Sequence, residues 1–199
     1  LSGLIHRIKG DIYAAECLFQ NALEEHKLSQ ENFEQAGLDY HAAHATFDIT
    51  IIYGKLREFD VAIDILLDAE AQYLRLNYHA LLFHAQLELC YNYIQIGDYA
   101  SCEEVFSRID KNNGIGYSYC DYYCIEAIIS AYRHDFNKAA ALIEMAKQEP
   151  TLSDTHLYYA EYIVAVIQCN NDTALVKYMA MISKQDATSS PEHSMRHQG

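Results

Sequence analysis

His41, His44 and Asp48 are spaced three and four residues apart, so a helix would carry two imidazoles and a carboxylate on one face, ligand types suited to zinc. No second cluster completes a tetrahedral set, and neither a metal nor a cofactor is expected. The six cysteines, Cys17, Cys90, Cys102, Cys120, Cys124 and Cys169, contain no C-x-x-C pair and stand mostly among apolar neighbours, which reads as free thiols in a reducing compartment. Cys120 and Cys124 lie one helical turn apart, a poor geometry for a disulfide. Gly114-Ile115-Gly116 is the one Gly-x-Gly and reads as a turn, not as a phosphate loop. Asn171-Asp172-Thr173 satisfies a glycosylation sequon but falls between expected helices, where it is incidental. No nucleophile with a base, and no carboxylate pair in a recognisable setting, supports catalysis, so the chain is not expected to be an enzyme.

The elements that would position any of these groups are helical. The 199 residues are 51% hydrophobic and include only 2 prolines and 8 glycines, few enough breakers for a mostly helical globular chain. A formal charge of −14 repels phosphate backbones and excludes direct nucleic-acid binding. No apolar run reaches membrane-spanning length, and His6, Arg7 and Lys9 interrupt the first ten residues, so neither a spanning helix nor a secretory signal is expected and the chain reads as cytoplasmic.

A stripe recurs along the chain: Ala15-x3-Phe19-x2-Ala22, Ala62-x3-Leu66-x2-Ala69, Cys102-x3-Phe106-x2-Ile109, Ala139-x3-Ile143-x2-Ala146 and Ala174-x3-Tyr178-x2-Met181. Small residues around a bulky one let a neighbouring helix approach closely while the bulky one fills the gap. Turn signals precede each copy, at Gly10-Asp11, Arg57-Glu58, Gly97-Asp98, His134-Asp135 and Asn170-Asn171. Apolar-periodic segments 38–56, 80–96, 118–133 and 155–169 supply the preceding helices, so the unit is helix, turn, helix. Leading positions are spaced 47, 40, 37 and 35 residues apart, which predicts longer helices or connections in the early pairs.

These features resemble the tetratricopeptide-repeat family, which pairs a Tyr-bearing first helix with an A-x3-F-x2-A second helix at a period of about 34 residues. Tyr53 and Tyr93 fit that pattern, whereas the family's Trp is absent and its Leu-Gly pair reads Ile49-Thr50, Leu89-Cys90, Glu126-Ala127 and Glu161-Tyr162. The longer early spacing is similar to a variant of about 40 residues found in bacterial transcription activators and other signalling proteins. The resemblance implies an all-α, right-handed superhelical solenoid of about five antiparallel helix pairs over 1–182, followed by a polar tail or linker over 183–199. Within that tail Lys184-Gln185-Asp186-Ala187-Thr188 resembles the start of a diguanylate cyclase domain, and no further residue continues the likeness. A start inside a first helix without Met reads as a segment of a longer protein.

First helices of this family line the concave groove. Carried over pair by pair, the resemblance selects His44, Phe47, Ile51 and Lys55; His84, Leu87, Tyr91 and Gln95; Asp121, Cys124, Ile128 and Tyr132; and His156, Tyr159 and Ile163. Lys55 is the one basic residue among them, which argues against the family's carboxylate clamp. The expected partner is a protein or peptide, held as an amphipathic helix or extended segment by a regulatory or scaffolding module. The other reading is a small-ligand sensor of a bacterial signalling protein. Homodimerisation through an uncovered end pair is a further expectation.

Overall fold

The computed structural model describes residues 1–114, 118–149 and 155–188. Those residues are all-α, with helices packing in consecutive pairs. The chain divides into two compact units, Leu1–Asn113 and Gly114–Gly199. The first holds α1 (Ser2–Ala15), α2 (Phe19–Gln35), α3 (Asp39–Lys55), α4 (Phe59–Leu76), α5 (His79–Ile96) and α6 (Tyr99–Ser107), then a single 3-10 turn at Lys111–Asn113. The second holds α7 (Ser118–Tyr132), α8 (Phe136–Ala146), α9 (Thr155–Ile167) and α10 (Asn171–Thr188). In each unit every helix packs on the next, and α9 also packs on α7. The stretch read as one array, 1–182, therefore spans both units, and α10 continues to Thr188 because no proline or glycine interrupts 183–188. Residues 189–199 of the expected tail, like Ile115 and Gly116 of the Gly-x-Gly turn, lie outside the described residues.

One backbone device recurs at seven tight connections among the described residues. A left-handed residue follows the helix, at Cys17, Gly37, Arg57, Asn77, Gly97, His134 and Cys169. The next amide reaches back five residues to close the helix end: Leu18 N to Tyr13 O, Leu38 N to Phe33 O, Glu58 N to Tyr53 O, Tyr78 N to Tyr73 O, Asp98 N to Tyr93 O, Asp135 N to Ser130 O and Asn170 N to Ala165 O, at 2.8 to 2.9 Å. This pairing satisfies carbonyls that the last turn would leave orphaned, and it reverses the chain within two or three residues. The following helix is then capped where the sequence supplies a short Asp or Asn side chain. Asp98 accepts from Ser101 N, Asp135 from Lys138 N and Asn170 from Thr173 N.

The left-handed residues inside the pairs show the true period. Cys17, Arg57 and Gly97 are 40 residues apart, with His134 and Cys169 following at 37 and 35. Gly10-Asp11 is consequently not a turn but the middle of α1, and Ala15 ends that helix instead of opening a second one. The first stripe is Ala22-x3-His26-x2-Ser29, in register with Ala62-x3-Leu66-x2-Ala69 on α4, and the leading spacing of 47 residues becomes 40. The early helices α2 to α5 do run longer, at 17 or 18 residues, than α7 to α9 at 15, 11 and 13.

In that register the leading positions Ala22, Ala62, Cys102 and Ala139 are fully buried, and Leu66 and Ile143 fill the bulky place four residues on. Complete burial of a leucine of this kind contributes about 2 to 3 kcal/mol. Ile49 and Ile52 of α3 pack with Ala22 and Leu23 of α2, flanked by Tyr13, Phe19 and Tyr53. Tyr73 of α4 is fully buried and its hydroxyl donates to Ala43 O at 2.6 Å, joining α4 to α3 without leaving a buried donor unpaired.

Candidate functional site

Within the first unit, α1, α3 and α5 stand at equivalent places in successive pairs. A shift of 40 residues relates Asp11 to Ile51 and Tyr91, and Arg7 to Phe47 and Leu87. Of the positions expected in the groove, His44, Phe47, Ile51 and His84 are half-buried while Lys55 and Gln95 are exposed. The Phe47 and His84 rings approach to 6.1 Å between centroids. Leu87 and Tyr91 are buried, so in this fold they are core, not contact surface. In the second unit Cys124 and Ile128 are likewise fully buried, whereas Tyr132 is exposed and Asp121, His156, Tyr159 and Ile163 are half-buried. His156 and Asp121 are brought together across α9 and α7, at 2.8 Å from Nδ1 to Oδ1. The Cys124 thiol is pushed far up by its hydrogen bond with Cys120 and by burial, so it is not a nucleophile near neutral pH.

A polar cluster gathers on α1, α2 and α3. Arg7 Nε donates to Asp48 Oδ2 at 2.9 Å, and an Arg7 terminal nitrogen lies 2.9 Å from His44 Nδ1. His44 Nδ1 is also 3.5 Å from Asp48 Oδ1. Beneath them His26 is 2% exposed, with Nε2 3.8 Å from Asp11 Oδ1 and Nδ1 without a hydrogen-bond partner. Room for the imidazole comes from Gly10, where a Cβ would stand 2.6 Å from the ring. Glycine here serves a close approach between α1 and α2.

Burial and the neighbouring charges decide the protonation of this cluster. Burial lowers the His26 pKa, only partly opposed by Asp48 and Asp11, so the imidazole is held neutral. Burial, then the charge of Asp48, raises Asp11 above the usual carboxylate value, partly offset by His26, Arg7 and His44. Asp11, His26 and Asp48 each offer one ligand atom, all within 4.8 Å of one another. Of the sequence-selected metal candidates His41, His44 and Asp48, only Asp48 belongs to this group. His26 and Asp11 were not singled out, although a histidine in the otherwise apolar fourth place of a stripe was the available signal.

No protein-family model matches the chain, and no curated protein sequence matches it. Among the described residues no helix is long and apolar enough to cross a membrane.

Proposed function

We propose that this chain is a protein- or peptide-binding module of the tetratricopeptide-repeat type, acting as a regulatory or scaffolding part of a larger assembly and holding its partner on the first-helix faces. The observation that carries this reading is a contrast between helix classes. The leading stripe positions of the second helices are small and closed off, at Ala22, Ala62, Cys102 and Ala139. The first helices α3 and α9 keep large side chains half-open at His44, Phe47, Ile51, Tyr159 and Ile163, although Leu87, Tyr91, Cys124 and Ile128 of α5 and α7 are closed over. Half-open aromatic and aliphatic groups beside imidazoles and carboxylates supply apolar anchors with polar orientation, the combination that peptide grooves use.

Site-specific photocrosslinking tests this. A photoreactive phenylalanine analogue is placed at Ile51 or Tyr159, and for comparison at the exposed second-helix positions Leu67 and Met145. A discrete protein adduct formed from Ile51 or Tyr159 and not from Leu67 or Met145 is expected. Adducts restricted to Leu67 or Met145 would move the binding surface to the second helices. Absence of any adduct would overturn the protein-partner reading in favour of a small-ligand sensor.

A further inference from the structure

The first helix pair breaks the rule that the others keep. Four residues after the leading small residue, the later pairs place Leu66, Phe106, Ile143 and Tyr178; the first pair places His26. The position is as enclosed as a leucine site, yet it holds a polar ring whose Nε2 stands 3.8 Å from Asp11 Oδ1 and whose Nδ1 has no hydrogen-bond partner. Two further substitutions accompany it. Asp11 takes the place that Ile51 and Tyr91 hold in the next two pairs, and Gly10 opens the space that the ring occupies. Three changes in one pair, each replacing packing with a ligand atom or with room for one, have a common explanation in a bound group.

We propose that Asp11, His26 and Asp48 form a binding site for a divalent transition-metal ion such as Zn2+, joining α1, α2 and α3. One imidazole nitrogen with two carboxylate oxygens suits zinc and its first-row neighbours, whereas calcium and magnesium prefer all-oxygen shells. Ligand atoms around a tetrahedral zinc stand about 3.4 Å apart, so the present limit of 4.8 Å closes with a movement of at most about 1.4 Å. Asp11 can supply its share of that movement, because it already stands 3.8 Å from His26 Nε2 and its side chain is 61% exposed, while His26 is fixed in the core. Arg7 binds Asp48 through Oδ2, which leaves Oδ1 for the ion, and His44 lies beside that oxygen. With three protein ligands, at least one coordination place remains for water or for a carboxylate from outside.

The test is isothermal titration calorimetry of the chelator-stripped full chain with zinc chloride near neutral pH. Wild type is compared with Asp11→Asn, His26→Gln and the surface control His79→Gln, and circular dichroism verifies that each is helical. One zinc per chain is expected in wild type and in His79→Gln, with binding weakened at least tenfold in Asp11→Asn and His26→Gln. Cobalt bound in place of zinc should give a visible absorption band in wild type that both site variants lose. Because Asp11 is exposed, its variant remains informative if His26→Gln fails to fold. Zinc binding that survives unchanged in Asp11→Asn, or wild type that binds none, would overturn the proposal.

Discussion

At the scale of single residues, the same amino acid plays opposite parts, and that limits how far sequence can be read. Gly10 next to Asp11 has the composition of a turn, and Gly97 next to Asp98 is one, yet Gly10 sits mid-helix because α2 lies close against it. His26 and Ser29 hid the first stripe, since a search for apolar residues passes over a buried imidazole and a hydroxyl that donates to Gly3 O. The left-handed places at Arg57, Gly97 and His134 fall on expected turn signals and Cys169 adjoins one, whereas Cys17, Gly37 and Asn77 were not legible. Cys17 and Cys169 hold φ of 60° and 57°, a region that costs an L-residue about 1 to 2 kcal/mol. Both are exposed. Cys17→Gly and Cys169→Gly should each raise stability by about 0.5 to 1 kcal/mol in urea denaturation, after allowing for the added freedom of glycine in the unfolded chain. The reverse change at Gly37 or Gly97, where a Cβ would meet nothing within 4 Å, should lower stability by a similar amount, since only conformation is at stake.

At the scale of helices, periodicity and turn chemistry made most of the architecture legible. Segments 38–56, 80–96, 118–133 and 155–169 correspond to α3, α5, α7 and α9 within one or two residues, because their apolar faces run unbroken between turn residues. What periodicity does not report is which face stays open. Leu87, Tyr91, Cys124 and Ile128 share their helix faces with half-exposed residues but are closed over, because long first helices are buried on more than one side. A second consequence concerns α4, where Asp60, Asp64 and Asp68 are all exposed and follow one another at four-residue spacing. Like charges in that relation destabilise a helix by about 0.2 to 0.5 kcal/mol per pair. Replacing the middle one, Asp64→Lys, converts two repulsive pairs into two attractive ones and should stabilise the chain by about 1 to 2 kcal/mol at low salt. The gain should shrink in high salt, where exposed pairs are screened. A gain that is independent of salt would mean that helix propensity, not charge, is responsible.

At the scale of the whole molecule, the division at 113/114 was not legible, because Asp110 to Gly116 has the composition of an ordinary connection between helix pairs. The excess of acid was legible, and it bears on how stability responds to pH. Lowering pH from about 7.5 towards the isoelectric point near 5.0 removes part of the −14 charge and relieves self-repulsion, which favours the folded state. His26 works the other way. The charges of Arg7 and Asp11 on α1, Asp48 on α3 and Glu25 on its own helix act on it, and burial holds its folded pKa below the ordinary 6.5. The unfolded chain therefore takes up the proton first, and stability is lost as pH falls through about 6.5 until the folded pKa is reached, with a slope of at most about 1.4 kcal/mol per pH unit. Asp11 has the opposite sign, since its raised pKa lets the folded state bind a proton more readily, and that effect lies towards the acid end, from about pH 3.8 upward. Comparing wild type with His26→Gln separates the terms, because the general charge effect is common to both. In chelator, the stability of wild type relative to His26→Gln should decline between about pH 7 and pH 5.5, measured by urea denaturation across the range. A difference that stays flat would mean that the His26 pKa is the same in the folded and unfolded chain, and one that rises as pH falls would mean that Asp11 and Asp48 hold His26 protonated as an ion pair instead of burial keeping it neutral.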